Sequence, residues 1–206
     1  MLVACINCFN DMPLLKKCVE SIYDQVDKII AVDGKYKDFP GASWYSTDGT
    51  IEYLSSLEKV ELIFAADLFE DDKRNVYMNR LKRGDIALVI DGDEYIEGQI
   101  RKLSKGYDIG LILLGEPGTK FKRLATRYFK YYKGLKYNGI HFILELKGKW
   151  FNNRCHALKG FKEQNINTFK IVHLHRKRSR QRKELKEKYK ASARRRESKF
   201  KIAPYE

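Results

Sequence analysis

Four apolar runs punctuate the first half of the chain: LVACI (2 to 6), KIIAV (28 to 32), VELIFA (60 to 65) and IALVI (86 to 90), each pair separated by about 20 residues. Short apolar runs alternating with amphipathic connectors predict a β-α-β-α rhythm and a parallel sheet. The first connector sets Leu15, Cys18 and Ile22 at helical spacings of three and four, after Asp11 as an N-cap and Pro13 in the first turn. STDGTIEYL from Ser46 is a capping signal for a second helix. DDKRNVYMNRLKRG from Asp71 predicts a third, ended by Gly84.

Beyond Gly98 the texture changes. YDIGLILLG reads as a strand, the Tyr- and Lys-rich stretch from Phe121 to Trp150 as strands and turns, and FKIVHLH (169 to 175) as a late strand. The expected organisation is an α/β domain over 1 to 175, with a ligand-binding half (1 to 98) and a mixed half (99 to 175). A basic helical tail follows over 176 to 206.

Charge sharpens that division. The net charge is +14, but residues 176 to 201 hold 14 Lys and Arg against 3 Glu, so the rest carries only +3. Such a tail is either a solvated run or a peripheral contact for an anionic membrane, where each basic residue adds roughly 1 kcal/mol. No run approaches the roughly 20 apolar residues of a membrane span, and the N-terminus lacks a charged leader; the expectation is a cytoplasmic protein, on its own or peripheral to the membrane. Cys5 and Cys8 form a C-x-x-C, but three residues apart on a strand they face opposite sides, which predicts buried thiols rather than a zinc or redox pair.

Candidate chemistry centres on IDGDE, where an apolar strand ends in Asp91, Asp93 and Glu94. Ligands gather beyond the carboxyl ends of parallel strands, and two carboxylates one residue apart can hold a divalent cation. Crowded acids repel unless a cation or solvent compensates. Counting from Asp91, the sixth and twelfth positions are Ile96 and Lys102, which excludes an EF-hand, and no GxxxxGK[ST] run exists. A haloacid-dehalogenase-type phosphatase, with the first Asp as nucleophile, is the competing reading of D-x-D. Tyr128, Phe129, Tyr131, Tyr132 and Tyr137 interleave with basic residues, so they serve as a nucleic-acid surface, a sugar-stacking acceptor site or core. The nucleic-acid reading is the less favoured.

In HFILEL, His141, Ile143 and Glu145 share one face, and a glutamate in so apolar a strand is unexpected. His173 and His175 fall on one face of the late strand, where one or both rings can meet a single metal.

Together ACINCFND, IIAVDGKY with STDGT, KRN (73 to 75) and IDGDE resemble, in order, motifs of the family 2-like GT-A glycosyltransferases. The resemblance is close over residues 2 to 98. In its small size and Lys, Arg, Ile and Tyr bias the chain also resembles small enzymes of hyperthermophilic archaeal viruses. The resemblance implies a GT-A fold and transfer of a sugar, with inversion, from a nucleotide-diphosphate donor to an acceptor hydroxyl on a glycan, lipid or protein. It implies that Asn7, Asp33, Arg74 and Asp91 bind the donor, with Asp33 on the base and Asp91 on the ribose. Asp93 and His173 would hold Mn²⁺ or Mg²⁺, an imidazole favouring Mn²⁺. A carboxylate would deprotonate the acceptor: Glu145 first, Glu116 as the alternate, with His141 on the acceptor side. One departure stands out, since residues 34 to 45 interrupt a motif that is otherwise contiguous and would cover the donor.

Overall fold

The computed structural model describes residues 1–12, 14–119, 123–138, 143–146, 149–151, 161–174 and 184. Strands β1 (Leu2–Cys8), β2 (Lys28–Asp33), β3 (Val60–Phe64) and β4 (Ile86–Asp91) are the four apolar runs. They pair in parallel in the order β3-β2-β1-β4. Helices α1 (Leu14–Ile22), α2 (Thr50–Ser55) and α3 (Glu70–Met78) connect them. Side chains of β1 alternate between two apolar layers: Leu2, Ala4, Ile6 and Cys8 meet α1 and Leu54 of α2, while Val3 and Cys5 meet Tyr77 and Met78 of α3. Helices therefore cover both faces of the sheet. Cys5 and Cys8 lie on opposite faces as expected, and burial raises the pKa of both thiols well above the usual range.

The second half is mixed. β5 (Glu94–Gly98), β6 (Ile109–Gly115), β7 (Arg123–Lys130) and β11 (Glu163–His173) extend the sheet in the order β4-β7-β6-β11-β5. β8 (Leu135–Asn138), β9 (Ile143–Leu146) and β10 (Lys149–Phe151) form a small antiparallel sheet beside α3. The expected α/β class is thus the observed one, with a Rossmann-like parallel half and a mixed second half. Tyr128, Phe129, Tyr131 and Tyr137 are buried, which makes them core rather than a stacking platform.

Three local expectations are corrected. Helix α3 stops at Met78 with Asn79 as C-cap, well before Gly84, because Leu81 turns into the core behind it. Ser46 does not cap α2; its hydroxyl and amide go to Asp33, and Asp48 accepts from the amide of Thr50 instead. Residues 94 to 98, read only as an acidic turn and its aftermath, form strand β5.

That strand decides the shape of the site. From Asp91 to Glu94 three residue steps reach at most about 11 Å. Four strand spacings separate β4 from β5 in the sheet order, about 19 Å if the sheet were flat. The sheet must curl, and α1 fills the trough, with Cys18 and Ile22 buried against it. The curl carries the carboxyl end of β11 to the turn at residues 92 and 93.

Candidate functional site

Five chain segments converge at the carboxyl edge of the parallel strands. Asn7 ends β1 and lies in register with Asp91 of β4 and Val32 of β2, while Cys8 pairs with Asp33. His173, the last residue of β11, is in register with Glu94, and the Leu174 amide donates to the Asp93 carbonyl at 2.8 Å. This pairing sets His173 Nε2 at 2.9 Å from Asp93 Oδ2.

The acids are met by cations from the fold, and the two arginines responsible come from separate elements, α3 and β7. Asp91 accepts from Arg74 Nη2 at 2.8 Å and faces Arg127 Nη2 at 3.4 Å. Glu94 Oε2 accepts from Arg127 Nη1 at 2.5 Å and from the Asp91 amide at 2.9 Å. Arg74 also bonds Glu70 and the Tyr77 hydroxyl. Both guanidiniums are buried: burial would lower their proton affinity, but the carboxylates outweigh it and hold them charged. Burial, acting against Arg127, leaves the Glu94 carboxyl raised above its ordinary value. The His173 imidazole is pulled down by burial, yet its contact with Asp93 and the charges of Asp93, Glu94 and Asp91 raise it above the usual histidine value. The side chains of Asp93 and Glu94 are 1% exposed, whereas those of Asp91 and His173 are 24% and 28% exposed and face the opening.

Asp33 lies in the same edge but differently. It is fully buried, and its oxygens accept from the Ser46 amide (3.0 Å) and hydroxyl (2.5 Å). Ser46 in turn accepts from the Asn10 amide, Asn10 accepts from the Thr47 amide and Asp48 accepts from the Met12 amide, so STDGT is stitched onto the turn after β1. Lys73, fully buried, donates to the carbonyls of Cys8 and Gly34 at 2.8 and 2.5 Å and straps β1 to β2. The 34 to 45 segment folds back over this edge, with Phe39 edge-on to Phe9 and Tyr36 bridged to Leu68. Asn7 is 3% exposed, and neither polar atom of its amide has a hydrogen-bond partner among the described residues.

The two candidate bases are placed apart. Glu116 directly follows β6, whose Gly115 pairs with Val172, so it sits beside His173 at the same edge. Glu145 lies in β9, where Asn138 donates to it at 2.8 Å and Lys136 approaches within 3.5 Å. Its neighbour Leu144 and the paired Tyr137 face α3 and the core, which puts Glu145 on the far side of that ribbon. His141, His175, Cys155 and, apart from Glu184, the basic tail lie outside the described residues.

Arg127 lies outside every motif, while Lys73 and Ser46 lie within KRN and STDGT, motifs that assign them no role at this edge. Alternation gave no signal for Arg127, because the register of β7 on β6 shifts at this residue and period-two parity does not carry across it. Ser46 was legible as a capping residue, with the wrong recipient.

No family model and no curated protein matches the chain. Among solved structures it is similar to S. aureus TarS, at 18% identity and a TM-score of 0.41, over 58% of this chain and 23% of that one. It is also similar to S. aureus TarS 1-349, alone (19%, TM-score 0.42, 58% of this chain) and in complex with UDP-GlcNAc (19%, 0.44, 60%), covering 37% of each.

Proposed function

We propose that the chain is a family 2-like, inverting glycosyltransferase that moves a sugar from a nucleoside-diphosphate donor to an acceptor hydroxyl in this cleft, with Mn²⁺ or Mg²⁺. The observation that supports it best is the meeting of Asp93 and His173 beside an Asp91 held by two buried arginines. Among the described residues no group of three or more His, Cys, Asp or Glu could hold a metal by itself. An oxygen from Asp93 and a nitrogen from His173 fit an ion held jointly with a substrate, because Mg²⁺ and Mn²⁺ sites of transferases take one or two protein ligands and complete their shell with phosphate and water. When bound, such an ion stabilises the charge that builds on the departing diphosphate.

The residues of the chain supply the rest. Arg74 and Arg127 fix the rotamer of Asp91 so that its exposed edge can accept from a ribose hydroxyl. That double clamp favours a binding role for Asp91 over the nucleophilic role a phosphatase would require, since an attacking oxygen must be free to approach phosphorus. Asn7, with a donor and an acceptor both unused, is suited to the polar edge of a base. Asp33 acts from behind: it orients Ser46 and so shapes the turn that faces the base. For the general base, the register that sets Glu116 beside His173 favours Glu116 over Glu145, which is engaged by Asn138 and Lys136.

A thermal-shift panel of UDP-, GDP- and dTDP-sugars with and without Mn²⁺ tests the reading. One donor with Mn²⁺ should stabilise the protein by about 2.7 kcal/mol at a hundredfold excess over Kd. Asp93→Ala should remove that shift, and absence of any shift in the unaltered protein refutes the proposal.

A further inference from the structure

A cavity lies at the opposite end of β11 from His173. It has a volume of about 220 Å³ and opens between the segment that leaves β5 and the start of β11, with Arg101, Lys102, Ser104, Gln164, Asn167 and Thr168 among its walls. A local irregularity creates it. The register of β11 on β6 shifts between Ile166 and Lys170, so residues 167 to 169 bulge away from β6. The bulge is captured from the other side: the Gln99 amide donates to the Thr168 carbonyl at 3.0 Å. Gly98, at φ +105°, lets that carbonyl approach, since a Cβ there would stand 2.3 Å from it.

The walls are held in place. Ser104 donates its amide to Gln164 Oε1, and Gln164 Nε2 donates back to Ser104 Oγ, both at 3.0 Å. The Tyr128 hydroxyl donates to the Arg101 carbonyl at 2.9 Å, fixing the backbone that carries both cations. Among the described residues neither Arg101 nor Lys102 makes an ion pair, whereas Lys28, Arg74, Arg127 and Lys170 each do. The lining contains no carboxylate; apart from the two cations it is hydroxyl, amide and a single Ile166. Thr168 Oγ1 is buried without a hydrogen-bond partner among the described residues, and a buried polar atom left so is costly.

We propose that this cavity is a separate binding site for a phosphoryl group carried by a small molecule. Two cations, with the hydroxyls of Ser104 and Thr168 and the side-chain amides of Asn165 and Asn167, suit a dianion with several acceptor oxygens better than a carboxylate, which offers a single charge and two oxygens. The volume falls below the roughly 300 Å³ at which drug-sized pockets begin, so the ligand is an ion or a phosphomonoester rather than a polymer segment. Five residues of extended strand, roughly 17 Å, separate Thr168 from His173, so the site is independent of the acidic cleft and of the activity proposed there.

Backbone amide NMR of the metal-free full chain tests this, with titrations of inorganic phosphate, glucose 6-phosphate and acetate at matched ionic strength. Saturable shifts at Ser104, Asn167 and Thr168 are expected from phosphate or the ester but not from acetate, and the tighter of the two identifies the form taken. R101A/K102A, altering exposed residues, should weaken binding at least tenfold. Thr168→Val, nearly isosteric, should weaken it several-fold with an otherwise unchanged spectrum. Equal responses to acetate, shifts confined to the neighbourhood of Asp91, no saturable shift at all, or full binding in R101A/K102A each overturn the proposal.

Discussion

Arg127 shows how much of the site depends on one side chain that no motif flags. It reaches Glu94 and Asp91 at once, and removing it leaves a buried carboxylate without its counter-charge. Breaking a buried pair on one side costs about 3–5 kcal/mol. Arg127→Met should therefore lower the unfolding free energy by that amount in urea, and adding Glu94→Gln should recover part of it, because the stranded charge is gone. If the double variant is no more stable than the single, the penalty lies in packing instead. The acids themselves were legible, since an apolar strand ending in D-G-D-E signals a polar edge. Their partners were not, because Arg127 stands 33 residues from Glu94 and only the sheet order brings them together. The same holds for the general base proposed above. Alternation along HFILEL correctly separates Glu145 from Leu144, but which side faces the cleft depends on how β8 and β9 lie against α3. Glu116→Gln should abolish transfer while leaving the donor thermal shift intact, and Glu145→Gln should retain turnover; the reverse pattern in a radiolabelled-sugar assay reassigns the base.

Among the elements, those with a strong apolar period were readable and those defined by a long-range partner were not. β1, β2 and β4 appear where the runs predicted because a parallel strand buried on both faces must be continuously apolar, while β3, at the sheet edge, is only half-buried and carries Glu61. β5 escaped notice because Glu94–Gly98 has only Ile96 and Glu94 turned inward, and its strand character comes from pairing with β11. Between β2 and α2 the interruption at 34 to 45 obscured a close contact: Gly34, at φ +146°, passes so near β3's exit that a Cβ would stand 2.3 Å from the Ala65 carbonyl. Its own carbonyl accepts from Lys73. Gly34→Ala must therefore displace the backbone as well as strain it, and a loss of roughly 2–3 kcal/mol is expected by denaturant titration. Gly41→Ala, with φ +126° but nothing within 4 Å, is the control for conformational strain alone and should cost less.

Curling of the whole sheet joins two segments that the sequence keeps 80 residues apart, and the proton on His173 reports whether it has done so. Its pKa in the folded state is raised, so the pair contributes stability that is fully present below the unfolded value near 6.5 and is lost as pH rises through the folded value. The stability difference between the unaltered protein and His173→Gln should then be largest in mild acid and shrink above that window, as followed by urea titration at successive pH values; a difference independent of pH would mean that the imidazole stays neutral. The same proton separates two causes of the geometry. His173 is held to Glu94 and Asp93 by the β5–β11 register, whereas Asp91 is held to them by the intervening turn, its amide bond to Glu94 and the shared Arg127. Inserting one glycine between Asp91 and Gly92 should leave the raised His173 titration unchanged by proton NMR, since β5 and β11 stay in register. It should also cost stability comparable to part of the Arg127→Met loss, because one guanidinium can no longer span Asp91 and Glu94. A His173 titration that returns to the ordinary value in that variant would show instead that the short turn, not the strand pairing, brings the histidine to the acids.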